Sequence, residues 1–388
     1  MAPRGGSQTS YGFPIYGASW IPLAHILNPN PAADADAPSP PPRPMVVLGG
    51  GGGEGNNRVP NALVIAALNP AATAAPALSP KPMFRLGTGE QVPYRMSVHP
   101  RGDGVLCAFP GGCRLLQWEG EDPHELVLTP DDEAVVELSN IGLQLVVSFS
   151  GAGSVLATGG EDGHLRVFKW PTMESIIEEV DTKTSVKDLS FSSDEKFLAV
   201  NRSSGPSRVW DLKSAEAVAN LPREAGEIFG FCRFCNKPDG SQILFVTAMQ
   251  GDYGKIISWN TTSWTRTGSK KITREPISAF TVSPDSTLLG IGTIEGSISI
   301  LGSRDMRVLV KVKEAHLGSV TTLAFSQDSR TVLSTSFDST ARVTSTGPPT
   351  SRTDISLWSM ILAIIFAILF DFLYYMQHKE DLLAPLPQ

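Results

Sequence analysis

The chain has 388 residues, 41% hydrophobic and 18% charged, which is ample for one large core. Its 32 Lys and Arg stand against 39 Asp and Glu, a net charge of −7; this argues against a nucleic-acid partner, because neutralising phosphates takes clustered cations. The 36 Gly and 30 Pro suit many short strands joined by turns.

The chain opens Met1-Ala-Pro-Arg-Gly-Gly-Ser, with no long apolar run, so no secretory signal is expected. Residues 11–20, Tyr-Gly-Phe-Pro-Ile-Tyr-Gly-Ala-Ser-Trp, read as one strand that stands apart from the residues after it. Residues 28–44 are rich in Asn, Pro, Ala and Asp and read as a disordered insertion. The Ala/Pro-rich patch Asn69 to Pro82 reads as a second loop.

Between them lies Val46-Val-Leu-Gly49-Gly50-Gly51-Gly52-Gly53-Glu54-Gly55-Asn56-Asn57-Arg58-Val59-Pro60-Asn61-Ala-Leu-Val-Ile65. Apolar, β-branched runs on both sides predict strands, and Asn and Pro restrict the loop after the glycines free it. Three readings compete. Five glycines in a row suit a flexible linker. Gly50, Gly52 and Gly55 fit G-x-G-x-x-G after a strand, but no helix begins afterwards to face a phosphate. A Walker loop fails, since Gly55 is followed by Asn56-Asn57 and not by Lys. The third reading is a loop that turns carbonyl oxygens inward around a hard cation.

A repeat comes next along the chain. Its anchors begin at Val98, Phe149, Phe191, Phe234, Val282 and Phe325, spaced 51, 42, 43, 48 and 43 residues apart. Each anchor runs into a polar turn, such as Ser-Pro-Asp-Ser286, then an apolar strand, a Gly/Asp turn and another strand. About 40–45 residues per unit with four strands is the period of a WD-repeat propeller. Trp210-Asp211 is the one Trp-Asp dipeptide, and Trp259-Asn260 is a near relative. His316 before the last unit and Asp338 in a later turn are expected to bond across a blade. Six anchors and the glycine-loop unit make seven blades. The last unit lacks a strand, which the 11–20 stretch is expected to supply, closing the ring and removing an edge.

Cys232-Arg-Phe-Cys235 is a lone C-x-x-C, and Cys107 and Cys113 lie in strand-like sequence, so all four cysteines read as buried reduced thiols. Asn201-Arg-Ser and Asn260-Thr-Thr are formal glycosylation sequons without meaning on a cytosolic domain. Glu121-Asp122 and Asp131-Asp132 read as solvated turns rather than an acid/base pair. No nucleophile, zinc or kinase motif is present, so bond-making chemistry is not expected and the chain is not read as an enzyme. From Ile355 to Met376 an almost unbroken apolar run predicts a transmembrane helix, with Trp358 and Tyr374-Tyr375 as interfacial belts. Asp371 near its far end is read as tolerated close to the interface. Arg352 and Lys379 on either side do not decide orientation.

The glycine loop from Gly50 to Asn61 resembles that of the Sec-twelve family, with Arg58 where the pattern usually has a small residue. The N-terminal Tyr11-Gly-Phe-Pro-Ile-Tyr-Gly17, the degenerate propeller and the C-terminal span are similar to that family throughout. Phrases such as Leu86-Gly-Thr-Gly89, Pro93-Tyr-Arg-Met-Ser-Val-His-Pro100 and Leu165-Arg-Val-Phe-Lys-Trp170 resemble its plant branch. The resemblance implies an all-β fold, a seven-bladed WD-repeat-like β-propeller with a single C-terminal transmembrane helix. It implies a cytosolic propeller at 1–346, a linker at 347–354, the span at 355–376 and a lumenal tail at 377–388. It further implies a guanine-nucleotide exchange factor for the Sar-type GTPase, in the endoplasmic reticulum membrane, that starts COPII coat assembly and transport to the Golgi. The loop would bind potassium through carbonyls of Gly50, Gly51, Gly52, Gly53, Gly55, Asn56 and Asn57. Asn61 matches the residue the family uses for exchange, its amide competing for polar groups at the GTPase site, and Glu54 would contribute charge. The alternative is a non-exchanging propeller scaffold that helps membrane cargo such as phosphate transporters leave the endoplasmic reticulum; relatives of that kind resemble chains without the glycine loop.

Overall fold

Among the described residues, twenty-eight short strands assemble into seven sheets of four. The computed structural model describes residues 8–27, 43–55, 58–69, 77–120, 125–131, 133–347 and position 365. Five strands matter most here: β1 (Gln8–Ser10), β2 (Ile15–Trp20), β3 (Met45–Gly50), β4 (Ala62–Ala67) and β5 (Phe84–Gly87). The first blade is β2-β3-β4-β5, and each later blade repeats the antiparallel order through Ser345. The fold is the all-β, seven-bladed WD40 propeller.

Burial falls from the middle strands of a blade to its outer strand. β3 and β4 are buried at every position, since neighbouring blades cover both faces. Outer strands such as Glu216–Leu221 and Val308–Val312 are mostly exposed, although apolar residues still make up most of both. The repeating anchors mark the ends of inner strands: Phe149, Phe191, Val282 and Phe325 are each the last strand residue. The serine next in the chain is the reason for the motif. In three blades its hydroxyl donates to an aspartate two residues on and accepts the N–H five residues on: Ser192, Ser283 and Ser326 with Asp194, Asp285 and Asp328. Burial works against those carboxylates, but the hydrogen bonds hold them below the usual carboxylate range.

Ring closure differs from the expectation. The stretch 11–20 does not complete the last blade. β1 does, three residues earlier, pairing antiparallel with Thr340–Ser345 through Gln8 with Arg342 and Ser10 with Thr340. Ile15–Trp20 is instead the innermost strand of the first blade, paired with β3. The segment between them carries the packing: Tyr11, Phe13 and Ile15 share a core with Val46, Leu48 and Val64 of blade 1 and Leu333, Ala341 and Val343 of blade 7. A strand end thus closes the ring by hydrogen bonds while its continuation buries the apolar load. Part of the 69–82 stretch joins in. Leu78 is buried and bridges to Leu68, and the Ser79 carbonyl accepts from the Tyr11 hydroxyl at 2.9 Å.

All four cysteines are free and buried. Burial pushes the Cys113 thiol up to about 12, and the other three also rise, so none is a thiolate at neutral pH. Residues 347–388 form a separate unit. The 355–376 segment lies outside the described residues except Ile365, as does most of the 28–44 insertion. Among the described residues no helix is long and apolar enough to cross a membrane.

Candidate functional site

The glycine loop connects β3 to β4, the second and third strands of the first blade, whose register sets Gly50 against Ala62. Gly50 is the last residue of β3 rather than part of the loop, and it also pairs with Ile15 of β2. A Cβ at Gly50 would lie 1.9 Å from the Pro14 carbonyl oxygen, so only glycine lets the strands approach. The Gly51 N–H donates to that same carbonyl at 3.0 Å. Gly51 has φ +150, and a Cβ there would lie 2.1 Å from Asn61 Oδ1 and 2.5 Å from Asn61 Cα. The run of glycines is therefore explained at its root by contact, not by looseness.

Asn61 closes the root. It is 4% exposed. Its Oδ1 accepts the Gly53 N–H at 2.9 Å, and its Nδ2 donates to the Gly53 carbonyl at 3.1 Å and the Gly89 carbonyl at 3.0 Å. Its own carbonyl accepts from the Thr88 N–H at 3.0 Å. The side-chain amide clasps the Gly53 peptide groups as a neighbouring strand would, and it ties the loop to the turn after β5. In the chain by itself the amide bonds Gly53 in the loop and Gly89 in the turn after β5.

Beyond the root the loop is displayed. Glu54, Gly55, Arg58 and Pro60 are exposed, and Val59 tucks partly against the closing core. Asn56 and Asn57 lie outside the described residues. Apart from Glu54, the oxygens that the described part of the loop offers are neutral amide carbonyls. Among the described residues no cluster of His, Cys, Asp or Glu is suited to a metal ion. A set of neutral oxygens matches a hard, weakly charged cation and mismatches zinc or copper.

Sequence reasoning missed the aromatic cluster beside the loop. Tyr16, one residue after the partner of Gly50, packs against Tyr94 and Phe337, both with ring centroids at 5.1 Å. The aromatic residues between Tyr11 and Trp20 were the available signal. His316 fulfils its expected structural role. It is buried, with Nδ1 2.7 Å from Thr340 Oγ1, Nε2 2.8 Å from Ser334 Oγ and Asp338 3.7 Å away. Burial lowers its pKa to about 4, outweighing the Asp338 charge that favours protonation. Asp131 ends a strand and accepts the N–H groups of Glu133 and Ala134, a turn-capping role; Glu121, Asp122 and Asp132 lie outside the described residues.

Comparison with known proteins agrees with the propeller fold. Residues 307–345 match the WD domain, G-beta repeat, and residues 147–250 match the Anaphase-promoting complex subunit 4 WD40 domain. SEC12-like protein 2 of Arabidopsis thaliana is 46% identical over 347 residues, 87% of each chain. The chain belongs to the Sec-twelve family. SEC12-like protein 1 of Arabidopsis thaliana is 31% identical over 310 residues, 79% of this chain and 77% of that relative. The guanine nucleotide-exchange factor SEC12 of Mus musculus is 31% identical over 215 residues, half of each chain. This Sec-twelve-family propeller thus matches the plant relatives over most of its length and the mouse factor over about half.

Proposed function

We propose that this chain is a guanine-nucleotide exchange factor for a Sar-type small GTPase, anchored in the endoplasmic reticulum membrane by residues 355–376, where it starts COPII coat assembly. The supporting observation is the glycine loop: a root locked by Asn61 and a tip whose described residues Glu54, Gly55, Arg58 and Pro60 are exposed. The mouse and rat relatives that bear the name of exchange factor support the activity.

Exchange makes no bond. The factor has to bind the nucleotide-free GTPase more tightly than the loaded one. A thousandfold faster release corresponds to about 4 kcal/mol of differential binding. A prefixed loop helps, because ordering one backbone residue on docking costs roughly 1–2 kcal/mol. The Asn61 clasp meets that cost in the free protein, and the tip is left to enter the nucleotide site. Glu54 there would add negative charge near the magnesium and phosphates. Potassium, when bound, would add positive charge and further order; carbonyls of Gly50, Gly51, Gly52, Gly53, Gly55, Asn56 and Asn57 would hold it.

The test uses the full chain in detergent with a Sar-type GTPase, following GDP release in potassium and in sodium buffer. Acceleration that is larger in potassium is expected. No acceleration in either salt from a folded chain would favour the cargo scaffold instead.

A further inference from the structure

The inner strands of all seven blades face one central cavity of about 160 Å³. Most of the lining is small or apolar, but four charged residues belong to it: Arg95, Lys187, Asp188 and Arg233, one from blade 2, two from blade 4 and one from blade 5. Their partners are unequal. Asp188 accepts from the Cys232 N–H at 2.8 Å and from the Arg233 guanidinium, so these two charges offset one another. Arg95 donates only to neutral carbonyls, those of Leu145 at 3.0 Å, Tyr94 at 3.3 Å and Tyr16 at 3.4 Å. Lys187 has no hydrogen-bond or ion-pair partner among the described residues, and both it and Arg95 keep solvent access. Two cations therefore line a confined space with no carboxylate hydrogen-bonded to either, although the Asp188 charge acts on Arg95 from within the same lining.

This arrangement is unexpected on bulk grounds. The chain is net acidic by seven charges, so a local excess of cations at its axis is not a sample of a basic surface. Crowding by protein also opposes the Arg95 charge, outweighing the support it receives from the Asp188 carboxylate. Guanidinium and ammonium groups held this way are well suited to an oxyanion, which takes charge-assisted hydrogen bonds from both. The volume admits a phosphate or pyrophosphate.

We propose that the central channel is a binding site for a small phosphate-class anion, gripped between Arg95 and Lys187 with the Arg233–Asp188 pair behind them. The site is separate from the glycine loop and does not depend on the exchange reading.

The test titrates sodium pyrophosphate into the full chain by calorimetry and follows thermal melting in parallel, with sodium chloride at matched ionic strength. One saturable site per chain and a raised melting temperature, neither reproduced by chloride, are expected. Lys187→Gln should weaken binding about tenfold or more, and Lys187→Arg should restore most of it, because either cation can meet an oxyanion. Lys187 touches no partner among the described residues, so its variants should melt like the parent in plain buffer, which keeps the test valid if Arg95→Gln fails to fold. Lys213→Gln, on an exposed turn, should leave binding unchanged. No saturable heat, an equal response to chloride, or unaltered affinity in Lys187→Gln would each overturn the proposal.

Discussion

Blades 1 and 7 are neighbours with a shared core, yet their second and third strands are joined in opposite ways. In blade 7 the connection is three residues between Ser336 and Thr340. Side chains lock it: Asp338 accepts the Leu317 N–H at 2.7 Å and the Thr340 N–H at 2.9 Å, and buried His316 bonds Thr340 and Ser334. In blade 1 the connection is eleven residues, 51 to 61. One amide side chain holds its root, and most of its described tip is exposed. The same place in the fold serves rigidity in one blade and display in the other. Topology sets where a loop emerges; a few polar contacts set what it is for.

The sharpest way to break the comparison is Gly50→Ala. Its Cβ would meet the Pro14 carbonyl, backbone against backbone, with no rotamer to relieve the clash. A loss of about 3 kcal/mol is expected in urea unfolding. Unchanged stability would contradict the close approach at the root. Asn61→Ala comes next. It deletes three hydrogen bonds and strands the Gly53 N–H, a local cost of roughly 2–3 kcal/mol. The expected readout is faster hydrogen exchange at Gly53 with little change at His316 and its neighbours.

The blade 7 lock is probed by pH. His316 has a pKa of about 4 when folded against 6.5 as the ordinary value. As pH falls, the unfolded chain takes up this proton first, so the stabilisation is full above pH 6.5 and is lost progressively down to pH 4. About 2 kcal/mol is at stake, allowing for solvent relaxation around the ring. Chemical unfolding at about pH 7 and about pH 4.5 should show this loss, and His316→Asn should flatten it. The smallest effect belongs to Glu54→Ala at the exposed tip, within about 0.5 kcal/mol of the parent. Any change in exchange by that variant would then report partner contact rather than folding.

The number of blades was legible in the sequence because inner strands end in a recurring physical device, a serine and an aspartate closing a turn. The loop was legible because strands flank the glycines. Ring closure was not, since β1 is Gln8-Thr9-Ser10, three polar residues without an apolar pattern, while the stronger signal at 11–20 belongs to the next blade. The clasp made by Asn61 was not legible, because its partners Gly53 and Gly89 lie 8 and 28 residues away and carry no side chain to announce them. The channel cations were hidden for a similar reason, as single charges on strands far apart in the chain.

The most direct test of the clasped loop compares GDP release from a Sar-type GTPase by the full chain and by Asn61→Ala, with melting curves for both. The parent should accelerate release, and the variant should stay folded but lose most of the acceleration. Equal acceleration by a folded Asn61→Ala chain would contradict a role for the clasped loop in exchange.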